Sequence, residues 1–308
     1  MPAVISRTTI KSAIGAGTVV ACLVVTAGRM IAVPQPSGGF AQTAIDEPAR
    51  FEMALDANSE AVVLARAGKT RDALGFPVGA RHTSKHVRDG FEQAEYDEVS
   101  EIDASGRVTS VTQFDAQGRL RAAMRLDSAP RAGLNVTREA AIRSAQRSAV
   151  AAGLAVDTPN AAEVDEANGG WTIRWARQQD GIRVRDDETR VHLWSDGRIQ
   201  SLARVEHDLA SPPDRRIGSG QARQAVSATV DRWFAGRNSA YTIQSLALEW
   251  AGPNGAFDPA RVTDSPQPYR LAWVANVKPT GAAANYVWLM TLYVDAGDGS
   301  IIGGDVVE

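Results

Sequence analysis

Trp171-Thr-Ile-Arg-Trp175 and Tyr269-Arg-Leu-Ala-Trp273 are the two stretches that set the reading of this chain. In the first, Trp171, Ile173 and Trp175 alternate with Thr172, Arg174 and Ala176, the period-two pattern of a strand covered on one face. The second repeats the pattern aromatic-x-aliphatic-x-Trp. Each is preceded by a helical pattern and followed by strands that close on an Asp-Gly turn. The chain therefore reads as one helix-then-strands unit used twice, from about Thr137 to Asp208 and from about Ser219 to Glu308.

Working outward, the first unit opens at Thr137, which caps a helix carrying Ile142, Ala145, Ala149, Val150 and Leu154 on one face and ending by Pro159. Strands follow near Arg190–Trp194 and Ile199–Glu206, turned by Ser195-Asp-Gly-Arg198. Ser211-Pro-Pro-Asp214 is a linker, because two prolines continue neither a helix nor a central strand. Behind it Ala222, Ala225, Val226, Thr229, Val230, Trp233 and Phe234 hold helical spacing. Strands are expected near Ile243–Trp250, Tyr269–Val277, Tyr286–Asp295 and Ile301–Val307. Ala140 to Ala222 spans 82 residues and Trp175 to Trp273 spans 98, so the second copy has gained 16 residues. The Gly- and Pro-containing loop Asn254–Pro268 accounts for the surplus.

Before Thr137 the sequence is organised differently. A helix is expected from about Asn58 to Ala67, then a meander of segments near Glu95–Asp103, Val108–Asp115 and Leu120–Asp127. Its connections, Asp103-Ala-Ser-Gly-Arg107 and Asp115-Ala-Gln-Gly-Arg119, join an Asp acceptor for the turn amides to a Gly able to take positive φ. The expected fold class is α+β: tandem small modules, each one helix packed on an antiparallel sheet of three to four strands, preceded by a β-meander. The expected divisions are 1–41, a signal peptide or membrane anchor plus tether; 42–130, the helix and meander; 131–210, the first module; and 211–308, the second.

The leader has a basic start (Arg7, Lys11), an apolar run from Ala13 to Gly28 and small residues suited to cleavage at Ala27 or Ala41. That run is 16 residues, against the roughly 20 of a spanning helix. An uncleaved anchor extending past Arg29 and a lipoprotein box ending at Cys22 are the alternatives. In each case the body faces out of the cytoplasm, secreted or membrane-anchored. Cys22 is the only cysteine, so an exported chain lacking it forms no disulfide and no thiolate metal cluster. The 308 residues carry 33 basic and 36 acidic side chains, net -3. Arg7, Lys11 and Arg29 all precede the first acid, Asp46, so removing residues 1–41 leaves 30 against 36, net -6. A mildly acidic product lacks the basic stripe that binds phosphate backbones, and nucleic acid is set aside as a partner.

Candidate chemistry is sparse. His82 and His86 are four apart, a spacing that on a helix seats a zinc or copper ion with a carboxylate such as Glu92, although the segment itself looks extended. His192 projects from a strand face and His207 sits at a strand end. Asp186-Asp187, and Asp295 with Asp298, read as turn acids rather than calcium ligands. No nucleophile elbow, phosphate loop or dinucleotide fingerprint is present. All seven tryptophans, Trp171, Trp175, Trp194, Trp233, Trp250, Trp273 and Trp288, fall in the duplicated region and read as core. Arg174, Arg177, Arg183 and Arg185 cluster around Asp180-Gly181 and are the candidate surface for a carboxylate-rich partner. No catalytic, cofactor-binding or metal residue is assigned.

Thr137-Arg-Glu-Ala-Ala-Ile142, Trp175-Ala-Arg-Gln-Gln-Asp-Gly-Ile182 and Val191-His-Leu-Trp-Ser-Asp-Gly-Arg-Ile-Gln-Ser-Leu202 resemble a PepSY domain. The second copy is similar in Tyr269–Trp273 and Tyr293-Val-Asp-Ala-Gly-Asp-Gly-Ser-Ile-Ile302. The resemblance implies a small extracytoplasmic bacterial module of the kind found in propeptides of secreted metallopeptidases and in freestanding envelope proteins. It implies a noncatalytic binding or regulatory role, restraining a peptidase that is a separate molecule or binding peptide-like ligands. The alternatives are a metal-binding or metal-dependent protein using His82 and His86, and a purely structural envelope protein.

Overall fold

The computed structural model describes residues 50–89, 94–126, 131, 133–156, 161–167, 169–235, 239–254, 256–257 and 267–307, which all belong to one compact unit. The leader and tether, Glu92, Pro159 and most of the loop from 254 to 268 lie outside them.

Strand β1 (Arg50–Met53) leads into helix α1 (Ala57–Leu74), then β2 (Arg81–Asp89), β3 (Ala94–Ile102), β4 (Val108–Asp115) and β5 (Leu120–Arg125). Helix α2 (Arg138–Ala151) is followed by β6 (Glu163–Ala167), β7 (Gly170–Gln179), β8 (Ile182–Trp194) and β9 (Ile199–Val205). Helix α3 (Ser219–Trp233) precedes β10 (Ser239–Ala251), β11 (Arg270–Gly281), β12 (Leu289–Asp295) and β13 (Ile301–Val307).

The local signals act as expected at the turns. Asp103 Oδ1 accepts from the amides of Ser105 and Arg107 at 2.9 and 3.0 Å, while Gly106 takes φ 86. Asp115 Oδ1 accepts from Gln117 and Arg119 at 3.0 and 2.8 Å, and Asp295 Oδ1 from Gly297 at 2.7 Å. Helix α1 starts on Asp56, whose side chain accepts from the Asn58 and Ser59 amides, and stops at Gly75 in the left-handed conformation. It runs a further two turns beyond the expected Ala67. On α2, Val150 is exposed and Ala141 is buried in its stead. Successive residues turn about 100°, which carries Val150 off the stripe formed by Ala141, Ile142, Ala145 and Ala149.

The arrangement of these elements corrects the expected fold class. The chain does not make small helix-on-sheet modules behind a separate meander; among the described residues thirteen strands form one mixed sheet with three α-helices. The order is β1-β2-β3-β4-β5-β9-β8-β10-β11-β12-β13, with β7 also on β8 and β6 on β7. Strand β5 pairs antiparallel with β9 through Ala122 and Ala203, and β10 pairs parallel with β8 through Trp250 and Val184. Each three- or four-stranded sheet standing alone would leave rows of backbone donors and acceptors open at its edges. The two junctions turn open edges into ladders.

The cores follow the same logic. Val63, Ala67 and Leu74 of α1 and Ala141, Ile142, Ala145 and Ala149 of α2 pack in one cluster with Val99, Phe114, Ile173, Val191 and Leu202. The meander and the first helical unit therefore share a single core. A second forms where Ala222, Val226, Val230 and Phe234 cover Ala275, Val277, Met290, Leu292 and Val294. Phe114→Ala and Leu202→Ala, on either side of the junction at β5 and β9, are each expected to cost about 2–5 kcal/mol. Both should lower the midpoint of the same thermal transition when it is followed by circular dichroism.

Candidate functional site

The registers of β7 and β8 place an irregularity in the middle of the sheet. Ala176 pairs with Glu188 and Gln178 with Arg183. Between those pairs β7 supplies Arg177 alone, whereas β8 supplies Val184, Arg185, Asp186 and Asp187. This is an enlarged bulge, a feature that re-aims side chains and interrupts pairing. Asp186 adopts φ 63 within it, a left-handed conformation that Asp tolerates better than most residues. Read from sequence, Asp186 and Asp187 belong to a turn; in the structure they sit inside a thirteen-residue strand.

The bulge turns Asp187 inward, where its side chain has no solvent exposure. Its Oδ2 accepts from Arg177 Nη1 at 2.9 Å and from the His207 amide at 3.0 Å. Its Oδ1 lies 2.5 Å from His207 Nδ1. Arg177 Nη1 also donates to the His207 carbonyl at 2.9 Å. A buried carboxylate needs such partners, because desolvation of an unpaired charge costs several kcal/mol. The contact turns the Nδ1 edge of the ring to the carboxylate and fixes its orientation. The ring stacks on Tyr269 with centroids 4.2 Å apart. Burial, with Asp186 and Asp187 close by, pushes the Tyr269 phenol far above its usual range, so it keeps its proton. Backbone bonds from Tyr269 to Asp208 and from Ala210 to Tyr269, at 2.7 and 2.8 Å, tie this corner to the second helical unit.

Beside the His207 ring opens a cleft of about 280 Å³, whose lining includes Arg119, Arg177, Glu206, Asp208 and Trp250. Glu206 lies among three guanidinium groups, 2.9 Å from Arg204, 3.3 Å from Arg119 and 3.6 Å from Arg177. Asp115 takes Arg119 and Arg204 at 2.8 and 2.6 Å. Burial alone would raise the Asp115 carboxyl, but hydrogen bonds from Arg119 and the charges of both arginines hold it below the usual carboxylate range. The lining offers hydrogen-bonding and charged groups together with an oriented imidazole; among the described residues it includes no hydroxyl or thiol nucleophile.

The four arginines singled out in the sequence do not form one surface. Arg174 binds Asp165 at 2.9 Å and Arg183 lies 3.6 Å from Glu163, both carboxylates on β6. Arg177 enters the Asp187 cluster. Arg185 lies 3.7 Å from both Glu249 and Asp305 and stands over the Tyr293 ring at 5.2 Å. Each therefore meets a carboxylate of its own chain. His82 and His86 occupy a strand, β2, where a four-residue spacing separates Cα atoms by about 13 Å; the helical geometry behind the metal reading does not apply. His82 is exposed, and His86 Nδ1 lies 2.9 Å from Asp97. Among the described residues, no three His, Cys, Asp or Glu side chains are placed to hold a metal ion. His192 pairs with Thr172 at 2.9 Å, and burial together with Arg190 and Arg174 lowers its basicity. Trp288, read as core, is 67% exposed.

Compared with known proteins, the chain matches no protein-family model and no curated protein. What its fold and site define is a mixed-sheet protein, with three α-helices among the described residues and a charged, histidine-bearing cleft beside the bulge of β8. No helix among the described residues is long and apolar enough to cross a membrane.

Desolvation raises the Asp186 carboxyl above its ordinary range and Asp305 adds to it, against the opposing pull of Arg185. Its side chain is still 44% exposed, so solvent screens part of the effect. A carboxyl whose folded-state pKa is raised penalises the folded state once pH exceeds the unfolded value and has no effect when both states are protonated. Asp186→Asn keeps a residue tolerant of the left-handed conformation. It should raise the melting temperature at neutral pH, with the gain disappearing on acidification below the usual carboxylate range, as read by scanning calorimetry across pH.

Proposed function

We propose that this chain is a noncatalytic exported binding or regulatory protein that takes an extended peptide segment at the edge of its sheet, and that an extracytoplasmic peptidase or a peptide-like ligand supplies that segment. The observation that carries the reading is strand β1. It lies at one end of the strand order and, among the described residues, pairs only with β2. Phe51 and Met53, two residues apart, are 59% and 53% exposed along it. An edge of this kind offers backbone hydrogen bonds for affinity and alternate side chains for specificity, with no reactive group required.

The opposite end of the sheet differs. Asn254 covers the edge of β13: its amide donates to Ile302 at 2.9 Å, its side chain donates to Gly304 at 3.0 Å and accepts from the Gly304 amide at 3.0 Å. Capping of the β13 edge, with apolar side chains left exposed along β1, accords with β1 as the docking strand. The likeness of residues 137–202 and 269–302 to PepSY domains supports the compartment and the choice of a peptidase as partner.

The purified exported chain should lower the activity of a peptidase in the secretome of its own organism or co-purify with one. Phe51→Lys combined with Met53→Lys should abolish that effect while leaving the melting temperature within a few degrees, since both side chains are exposed. A secretome without an inhibited or captured peptidase, or a double variant as active as its parent, contradicts the proposal.

A further inference from the structure

We infer that the cleft beside His207 is a binding site for one cationic side chain, lysine or arginine, presented by a peptide. The size, charge and lining of the cleft lead to this assignment. At about 280 Å³ it falls just under the roughly 300–1,000 Å³ of pockets that enclose a whole small molecule, which suits a single long side chain entering from outside.

The charges select the sign. Both arginines of the lining are engaged within the chain: Arg119 Nε and Nη1 donate to Asp115 and Glu206, and Arg177 Nη1 donates to Asp187 and the His207 carbonyl. Asp180 and Asp208 also line the cleft. Among the described residues Asp180 accepts only from the neighbouring Gln179 side-chain amide, at 3.3 Å, and neither acid meets a cation. An incoming anion would face these two carboxylates and Glu206, whereas a cation finds two of them unspent.

The lining supplies the rest of the recognition. Trp250 lines the cleft and is 4% exposed, and among the described residues its indole Nε1 has no hydrogen-bond partner, so it is a buried donor in want of an acceptor such as a main-chain carbonyl of the ligand. An indole ring beside an ammonium or guanidinium group adds cation–π attraction, and Leu209 and Pro212 give the aliphatic stem an apolar wall. The inference rests on the reading of the chain as a peptide binder only in placing the cation on a peptide. It uses Arg177 and Gln179 of β7, Trp250 of β10 and the segment after β9 rather than the β1 edge.

The test titrates the exported chain with a blocked pentapeptide carrying one central lysine, and with its norleucine and glutamate counterparts, followed by tryptophan fluorescence and calorimetry. Saturable binding of the lysine peptide is expected, about tenfold tighter than the norleucine peptide, with no binding of the glutamate peptide. Asp208→Asn and Asp180→Asn, both at exposed positions, should each weaken the lysine peptide several-fold without altering the far-ultraviolet spectrum. Equal binding of the three peptides, no saturation by the lysine peptide, or full affinity in both variants would overturn the assignment. The Phe51→Lys, Met53→Lys chain should still bind the lysine peptide, which separates failure of the cleft from failure of the edge.

Discussion

The Asp187 carboxylate is buried without solvent contact in the middle of the sheet, and the groups that make its burial tolerable also join the parts of the molecule. Arg177 comes from β7, His207 from the segment leaving β9, and the carboxylate itself from β8. The bulge of β8 exists at the place where that strand stops pairing with β9, at Glu188, and meets β10, at Val184. Backbone groups there cannot follow a regular ladder, so side-chain hydrogen bonds from Arg177 and His207 take over part of the accounting. Removing either partner leaves a charge in a place water does not reach.

This corner also explains how one sheet can hold two helical units. The strongest backbone links across the seam are few: the Val184–Trp250 pair, the Leu209–Tyr269 bridge and the bonds of Asp208 and Ala210 with Tyr269. Side chains thicken it, with His207 on Tyr269, Arg185 over Tyr293, and Val184, Trp250, Leu271 and Ala296 in a small apolar cluster. The cleft opens at this seam because regular pairing is interrupted there, and for the same reason its walls carry polar groups rather than the aliphatic side chains of the two cores.

Much of the fold was legible in the sequence because its signals are local. Asp-Gly turns, the Thr137 cap, the α3 stripe and the alternation through Trp175 and Trp273 each depend on neighbours within one or two turns of chain. What joins the pieces is not local. Nothing in Ala122 or Ala203 announces that β5 and β9 pair, and the single Val184–Trp250 contact leaves no periodic trace. Asp186-Asp187 carried a signal that was available: two acids interrupting an otherwise alternating strand fit a bulge as well as a turn. The arginines from 174 to 185 misled for a related reason, since alternation predicts the face on which a side chain stands but not whether Asp165, Asp187 or Asp305 is already waiting there. His82 and His86 depended on a helix that the extended Arg81–Asp89 segment never forms.

The seam at Asp187 is tested most directly by a double-mutant cycle on stability with Arg177→Ala, Asp187→Ala and their combination. If the buried pair governs this corner, each single change costs about 3–5 kcal/mol, and the double variant is less destabilised than the two together by more than about 1 kcal/mol. Free energies that add to within about 0.5 kcal/mol would show that the two residues act independently and would contradict the account.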